Sequence, residues 1–409
     1  MDRTAAEALD RADPLAGFRD DFLIADDGLV YLDGNSLGRL PRRTAERLKV
    51  VVADEWGAGL VRSWSEWIDL PERVGDRLGR IALGAAPGQV VVSDSTTVNL
   101  YKLAAAALDD RPGRRAVVCD ADDFPTDRYV IAGLAQARGL DVRRVGGAAQ
   151  LESALDGDVA LVMFSVVDYR SGDIADVPAI SDAAHRAGAL TLWDLSHAAG
   201  AIVVSLDEWG VDLGAGCSYK YLNAGPGAPA WIYVRRELHD RLRPPVWGWF
   251  GQRDQFAMGA DFEPARGIRR WLSGTPNVLG LVALDEGLVL LERAGIAALR
   301  AKGVLLTTFA ADLTGAWLVP MGFTLASPGD ARRRGSHLAL RHPEARRLSR
   351  ALREEAATVA DFRPPDLLRI GLAPLTTRFT DVWDGFDRIR RLAATQAWAR
   401  YDPTPEVVT

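Results

Sequence analysis

From about residue 90 onward, short runs of β-branched residues alternate with stretches of helical period. QVVVS at 89–93, RRAVVC at 114–119, ALVMFSVV at 160–167, ALTLWDL at 189–195 and APAWIYV at 228–234 predict strands. Helices are predicted between most of them, over 97–108, 128–138 and 177–187. Strands this continuously apolar need cover on both faces, and helices that connect parallel strands supply it. The pattern therefore predicts an α/β fold, a mainly parallel sheet covered by helices on both faces, whose ligands gather beyond the carboxyl ends of the strands. Past residue 278 the texture changes to long amphipathic helices at 278–300, 343–357 and 381–399, with the short strands HLALR and LLRIGL between them. That predicts a smaller α+β lobe. The expected organisation is an N-terminal segment 1–49, with a YLDG turn and a helix from about 42, a large domain 50–285 and a small C-terminal domain 286–409. The N-terminal segment is expected to pack on the small lobe or on a partner subunit.

A chain of 409 residues can bury a large core, and 49 basic against 55 acidic residues leave a net charge of −6 with no block of one sign. Neither a nucleic-acid surface nor an anionic-membrane surface is expected. The start MDRTAAEALD lacks the basic and apolar stretches of a secretory signal. The most apolar region, around 187–204, is interrupted by Asp194 and His197, short of the unbroken ~20 residues of a membrane helix. Cys119 and Cys217 fit neither a disulfide framework nor a zinc motif, which suits a reducing, cytoplasmic setting, and no metal site is expected. The basic residues are almost all arginine. Only Lys49, Lys102, Lys220 and Lys302 are lysine, and lysine is retained where a neutral amine must attack a carbonyl. Lys49, Lys102 and Lys302 fall on predicted helices, where a solvated face is the expected account.

Three features stand at predicted strand ends: Asp194 in LWDLSHAAG, Lys220 in CSYKYLNAG, and the hydroxyls of SDSTTVNL. Lys220 sits between two tyrosines, and partial burial there disfavours the ammonium, as an imine-forming lysine requires. Asp194 interrupts an apolar strand and is costly unless paired. An internal salt bridge with His197 as a core residue is one account of it; a protonated pyridine nitrogen is another. Ser95, Thr96 and Thr97 open a helix, where capping explains one hydroxyl and a phosphate seat explains several. An amine, an anion and phosphate donors are what a phosphorylated aromatic aldehyde needs.

With these residues in place, the chain resembles fold-type I pyridoxal-phosphate enzymes of the class V aminotransferase group, and within it the kynureninase family. The matching stretches are YLDGNSLG at 31–38, DSTTVNLYK at 94–102, DDFPTDRY at 122–129, WDLSHAAG at 193–200, CSYKYLNAGPG at 217–227, GWFG at 248–251 and RIGLAPL at 369–375. They run from end to end of the chain in family order.

The resemblance implies pyridoxal 5'-phosphate on Lys220 as a Schiff base, with Asp194 on the ring nitrogen, His197 against the ring and Phe124 stacked on it. Pro125, Thr126, Asp127 and Ser165 would lie beside the ring. Thr96, Thr97, Tyr219 and Trp249 would contact the phosphate, and Thr275 would reach that of a neighbouring subunit in a homodimer. Arg369 would grip the substrate α-carboxylate and Trp64 the aryl group. The activity implied is hydrolysis of L-kynurenine to anthranilate and L-alanine, within tryptophan catabolism and NAD biosynthesis. Trp64, Gly274 and Thr275, with no histidine nearby, point to unsubstituted kynurenine over its 3-hydroxy form. Other class V activities remain as alternatives: an aminotransferase, a selenocysteine lyase or a cysteine desulfurase, although no cysteine follows Cys217. A binding protein that has lost catalysis is the reading from outside enzymology.

Overall fold

The computed structural model of the chain describes residues 2–402 and residue 404. In chain order its strands are β1 (Val30–Tyr31), β2 (Val90–Val92), β3 (Ala116–Asp120), β4 (Asp141–Val145), β5 (Val159–Ser165), β6 (Leu190–Asp194), β7 (Leu213–Gly216) and β8 (Trp231–Val234), followed by β9 (Thr324–Leu325), β10 (His337–Arg341), β11 (Thr358–Val359), β12 (Asp361–Arg363) and β13 (Leu367–Gly371). Seven form one sheet in the order β2-β8-β7-β6-β5-β3-β4. Within it β8 alone runs against its neighbours. Side chains alternate between two apolar layers, so that along β3 Ala116 and Val118 face one and Val117 and Cys119 the other. A sheet covered on both faces reads as continuous apolar runs for this reason.

Two strands of this sheet escape the sequence pattern. At the edge, β4 carries Arg143 and Arg144 and is only partly buried, so its polar side chains mask its period. In the interior, β7 reads LGAG; a Cβ on Gly216 would come within 2.6 Å of the Trp231 ring, so the missing side chain makes room for that indole. The crossovers leave the ends of β2, β3, β5, β6 and β7 on one edge of the sheet. Asp94, Asp123, Ser165, Asp194 and Lys220 follow or end these strands.

The C-terminal region holds the antiparallel sheet β12-β13-β10-β9 packed on helices. The predicted helix 278–300 is two helices, Val278–Ala294 and Ile296–Leu313, broken at Gly295, whose φ of +77° lies in the left-handed region. The run Ile296–Met321 is apolar and long enough to cross a membrane by length and composition. Its Leu299, Leu306, Phe309 and Leu313 are instead buried in the protein, and its Lys302 is paired at 2.7 Å with Asp13.

The N-terminal residues bind this region from outside. Strand β1 pairs in parallel with β11. Asp10 accepts hydrogen bonds from the Phe379 and Thr380 amides at 2.6 and 3.1 Å, which places a carboxylate on the N-terminus of the Phe379–Ala394 helix.

Candidate active site

Lys220 follows β7 in a tight bend. Its carbonyl leaves no room for a side chain at position 38, where a Cβ would come within 2.3 Å, and the Gly38 amide donates to the Tyr219 carbonyl at 2.8 Å. The second glycine of the YLDGNSLG stretch thus lets the N-terminal loop lie directly on the lysine-bearing turn. Burial holds the Lys220 ammonium below its ordinary range. Its Nζ stands 3.2 Å from His197 Nε2 and 5.9 Å from the centre of the Tyr219 ring. His197 is itself held well below its usual value by burial and then by the Lys220 charge, so it is a neutral ring. Burial also raises the Tyr219 phenol, which keeps its proton. An amine whose ammonium form is disfavoured by burial, beside an imidazole and a phenol that carry no charge, is suited to attack a carbonyl.

Within reach of the Lys220 charge stands a group of carboxyls. Asp194 ends β6 at 7% exposure, accepts from the Ser196 amide at 2.7 Å and lies beside Ser165 in register on β5. Asp127, in the first turn of the Pro125–Arg138 helix, is 2% exposed, and neither of its carboxylate oxygens has a hydrogen-bond partner. Burial and then the Asp194 carboxylate hold it well above the ordinary range. Two buried acceptors facing each other with no donor between them require a proton or a cationic donor. The protonated nitrogen of a pyridine ring is such a donor, so the carboxyl pair fits a pyridoxal ring. No cluster of ligands suited to a metal ion is present among the described residues.

The phosphate end fits as well. The helix Thr96–Asp109 begins after Ser95, whose Oγ caps the Val98 amide at 3.4 Å. One hydroxyl of the three is therefore spent on capping. Thr96 and Thr97 remain at a helix start with its free amides.

Phe124 is 38% exposed at the head of the next helix, edge-on to Tyr169 at 5.2 Å. The Tyr169 carbonyl accepts from Arg369 at 2.7 Å, which links the ring end of the site to the substrate end. Arg369 is 1% exposed and heavily engaged. It also donates to Ser36 Oγ at 2.8 Å and to Asp361, and the Asn35 amide, oriented oxygen toward it, accepts from Nε at 2.9 Å. A two-pronged grip on a carboxylate thus requires Ser36 or Tyr169 to give way.

Trp64 and Trp249 belong to a separate aromatic cluster. Both pack on Phe250, at 6.0 and 4.7 Å, and Trp64 also meets Trp67. Thr275 lies exposed on the surface.

The solvated account of the remaining lysines is overturned for two of them. Lys49 is exposed, but Lys102 and Lys302 are buried in ion pairs with Asp94 and Asp13, because an ammonium on a helix can turn inward wherever a carboxylate waits for it. Residues that the sequence reading did not single out complete the site. Asp123, Tyr169, His337, Asp361 and Arg363 lack a motif of their own, although DDFPTD and DFRPP contain three of them. His337 is fully buried with its ring centre 5.3 Å from that of His197.

Asp123 leads to a stability prediction. Its Oδ1 accepts from the Ser165 amide at 3.2 Å while Oδ2 is buried without a partner, and burial pushes its pKa from 3.8 up to about 8. A carboxyl with a folded pKa above its unfolded one binds its proton more tightly when folded, so stability falls as pH rises from about 4 to about 8. Asp123→Asn is expected to stabilise the apoprotein by about 1–3 kcal/mol at pH 8.5 and by little at pH 4.5. Urea unfolding at the two pH values measures it; equal gains at both would refute the ionisation argument.

The parallel sheet, the lysine on the turn after β7 and the aspartate ending β6 define a pyridoxal-phosphate enzyme of fold type I. Solved structures share the architecture: the apo cysteine desulfurase of Thermococcus onnurineus NA1 matches at a TM-score of 0.81 with 17% identity, over 93% of this chain and 98% of that one. A C-DES variant with glycine covalently linked to its PLP cofactor matches at 0.76 with 18% identity, over 91% and 97%. In sequence, a family model described as the kynureninase C-terminal domain matches residues 299–389. The kynureninase of Pseudomonas fluorescens is 40% identical over 401 residues, covering 96% of both chains. That of Burkholderia pseudomallei (strain 1106a) is 41% identical over 404 residues, 97% of this chain and 96% of its own. The chain belongs to the kynureninase family.

Proposed function

We propose that the protein hydrolyses L-kynurenine to anthranilate and L-alanine, with pyridoxal 5'-phosphate held covalently on Lys220. The observation that carries this reading is a deprotonation-prone amine near a buried carboxyl pair in which both Asp127 oxygens are unpaired, in a chain of this family. When bound, the cofactor supplies an electron sink whose ring nitrogen is kept protonated. Asp194 would pair with that nitrogen and keep its proton in place, with Asp127 beside the ring. Thr96 and Thr97 hold the phosphate with the helix amides and with Tyr219 and Trp249. Phe124 and His197 cover the ring, and Pro125, Thr126 and Ser165 shape its edge.

Arg369 would anchor the substrate carboxylate, and Lys220 Nζ would take the α-proton. Tyr219, with its phenol proton retained, donates to the ketone oxygen as water adds. The bond between the β and γ carbons then breaks, anthranilate leaves, and the β carbon takes up a proton to give alanine. The desulfurases that share the fold are a poor guide to the chemistry, because Cys119 and Cys217 are both buried and no cysteine follows in the C-terminal region. Product analysis tests the reaction: anthranilate and alanine in equal amounts are expected, and the α-keto acid of kynurenine with its carbon skeleton intact and no anthranilate would make the protein an aminotransferase.

The protein acts as a homodimer in this reading. Trp56, Leu60, Val61, Trp247, Phe256 and Met258 are all more than half exposed, which is unusual for a monomer's surface, and they flank Trp64 and Trp249 in sequence. A partner seated there brings Thr275 to the neighbouring phosphate and Trp64 to the substrate aryl group. The proposal keeps the division into a segment 1–49, a large domain 50–285 and a small domain 286–409, and a cytoplasmic enzyme of tryptophan breakdown that feeds NAD biosynthesis. With Trp64, Gly274 and Thr275 at the aryl end, kcat/KM is expected to be at least ~10-fold higher for kynurenine than for 3-hydroxykynurenine, because no histidine stands in that stretch to pair with the added hydroxyl. Competition kinetics with both substrates measure the ratio, and a preference for the hydroxylated one would refute the assignment.

A further inference from the structure

A buried ammonium stands behind the phosphate seat with no part in the reaction derived above. Lys102, on the Thr96–Asp109 helix, is 0% exposed. Its Nζ lies 2.5 Å from Asp94 Oδ2 and donates to the Trp271 carbonyl at 2.8 Å. Asp94 has a φ of +47°, a left-handed conformation that a residue other than glycine keeps only where its surroundings hold it. Its carbonyl is fixed as well, accepting from the Ala230 amide at 2.9 Å. The turn at Asp94 leads directly into Ser95, Thr96 and Thr97, so its conformation sets the direction of those amides and hydroxyls. Trp271 opens the segment that runs on to Thr275.

We propose that Lys102 is a positioning residue for phosphate recognition: its ammonium pins the Asp94 turn, so that Ser95–Thr97 converge on the phosphate, and ties that turn to the segment leading to Thr275. The proposal rests on the reading of Ser95–Thr97 as the phosphate seat. It also explains a lysine in a chain that otherwise uses arginine. A compact ammonium fits a closed space with one carboxylate and one carbonyl, where a planar guanidinium with five donors does not. The pair is buried on one side only, with Lys102 enclosed and the Asp94 side chain 31% exposed, and such a pair is weak evidence of stabilisation, because an apolar residue in place of a buried charge often holds a fold as well. Recognition of one chemical group is the better reason for its presence.

The test compares two ligands on the apoprotein: pyridoxal 5'-phosphate, and pyridoxal, which forms the same bond to Lys220 but has no phosphate. Wild type, Lys102→Met, Asp94→Asn and Thr97→Val are titrated with each by absorbance. In Lys102→Met the affinity for the phosphorylated ligand is expected to fall ~10-fold or more, as for the loss of a charge-assisted contact, with that for pyridoxal unchanged. Asp94→Asn, which removes the charge of the same pair with little change of volume, moves the ratio in the same direction and decides the matter should Lys102→Met fail to fold. An unchanged ratio in these variants, or equal loss of both ligands, overturns the proposal. Thr97→Val reports on the seat itself: a normal ratio there overturns the seat reading, whereas a reduced ratio there with a normal one in Lys102→Met overturns only the role of Lys102.

Discussion

Lys220→Ala is expected to lose turnover by ~10³-fold or more while the protein stays folded. The lysine does two jobs at one atom. In the proposed function it fixes the cofactor covalently, and its amine carries the α-proton away from the substrate. Burial depresses its ammonium, and its neighbours His197 and Tyr219 offer no strong compensating charge, so removing it relieves a desolvation cost. The variant should therefore melt no lower than wild type in the apo form. Lys220→Arg should be equally inactive, since a guanidinium does not give up its proton at working pH. Steady-state kinetics with kynurenine, alongside thermal melts, check both halves. Activity within tenfold of wild type in either variant would contradict the assignment.

Asp194→Asn is the second large effect, with an expected loss of ~10²–10³-fold in kcat. Asparagine keeps the shape and the hydrogen bond from the Ser196 amide but no longer holds a proton on the ring nitrogen. The structure adds a consequence for the apoprotein. Asp127 is held well above its ordinary range by burial and then by Asp194, so removing the Asp194 charge lets Asp127 ionise more easily and relieves a repulsion between buried acids. The apo variant is expected to be at least as stable as wild type near neutral pH. A kcat unchanged in Asp194→Asn would mean that the cofactor nitrogen has a different partner. A marked loss of apo stability would mean that the carboxylate is part of a favourable network rather than a strained pair.

The catalytic core was legible in the sequence because its chemistry interrupts regular patterns. Asp194 breaks an apolar strand, Lys220 is one of four lysines, and the three hydroxyls stand where a helix must begin. The sheet was legible where strands are buried on both faces and hidden where they are not: β4 at the edge reads as arginine-rich polar chain, and β7 reads as glycine because Trp231 fills the space its side chains would take. What sequence order could not show is which groups meet from distant positions. Arg369 is expected to hold a carboxylate with two prongs, and the fold adds that Ser36, Asp361 and Tyr169 from three separate segments already accept from it. Lys102 and Lys302 were expected at the surface, and each turns inward to a carboxylate that no local pattern marks. Asp123 carries no signal beyond its neighbour in the motif, since its raised pKa comes from burial between strands that only the fold assembles.

Covalent attachment at a single amine is the claim from which the remainder follows, and peptide mapping after borohydride treatment examines it most directly. Protein loaded with pyridoxal 5'-phosphate should yield, after reduction and digestion, one modified peptide carrying the added mass at Lys220, together with loss of anthranilate formation. Modification at Lys49, Lys102 or Lys302 instead, or an unmodified Lys220 peptide from fully inactivated protein, would contradict it.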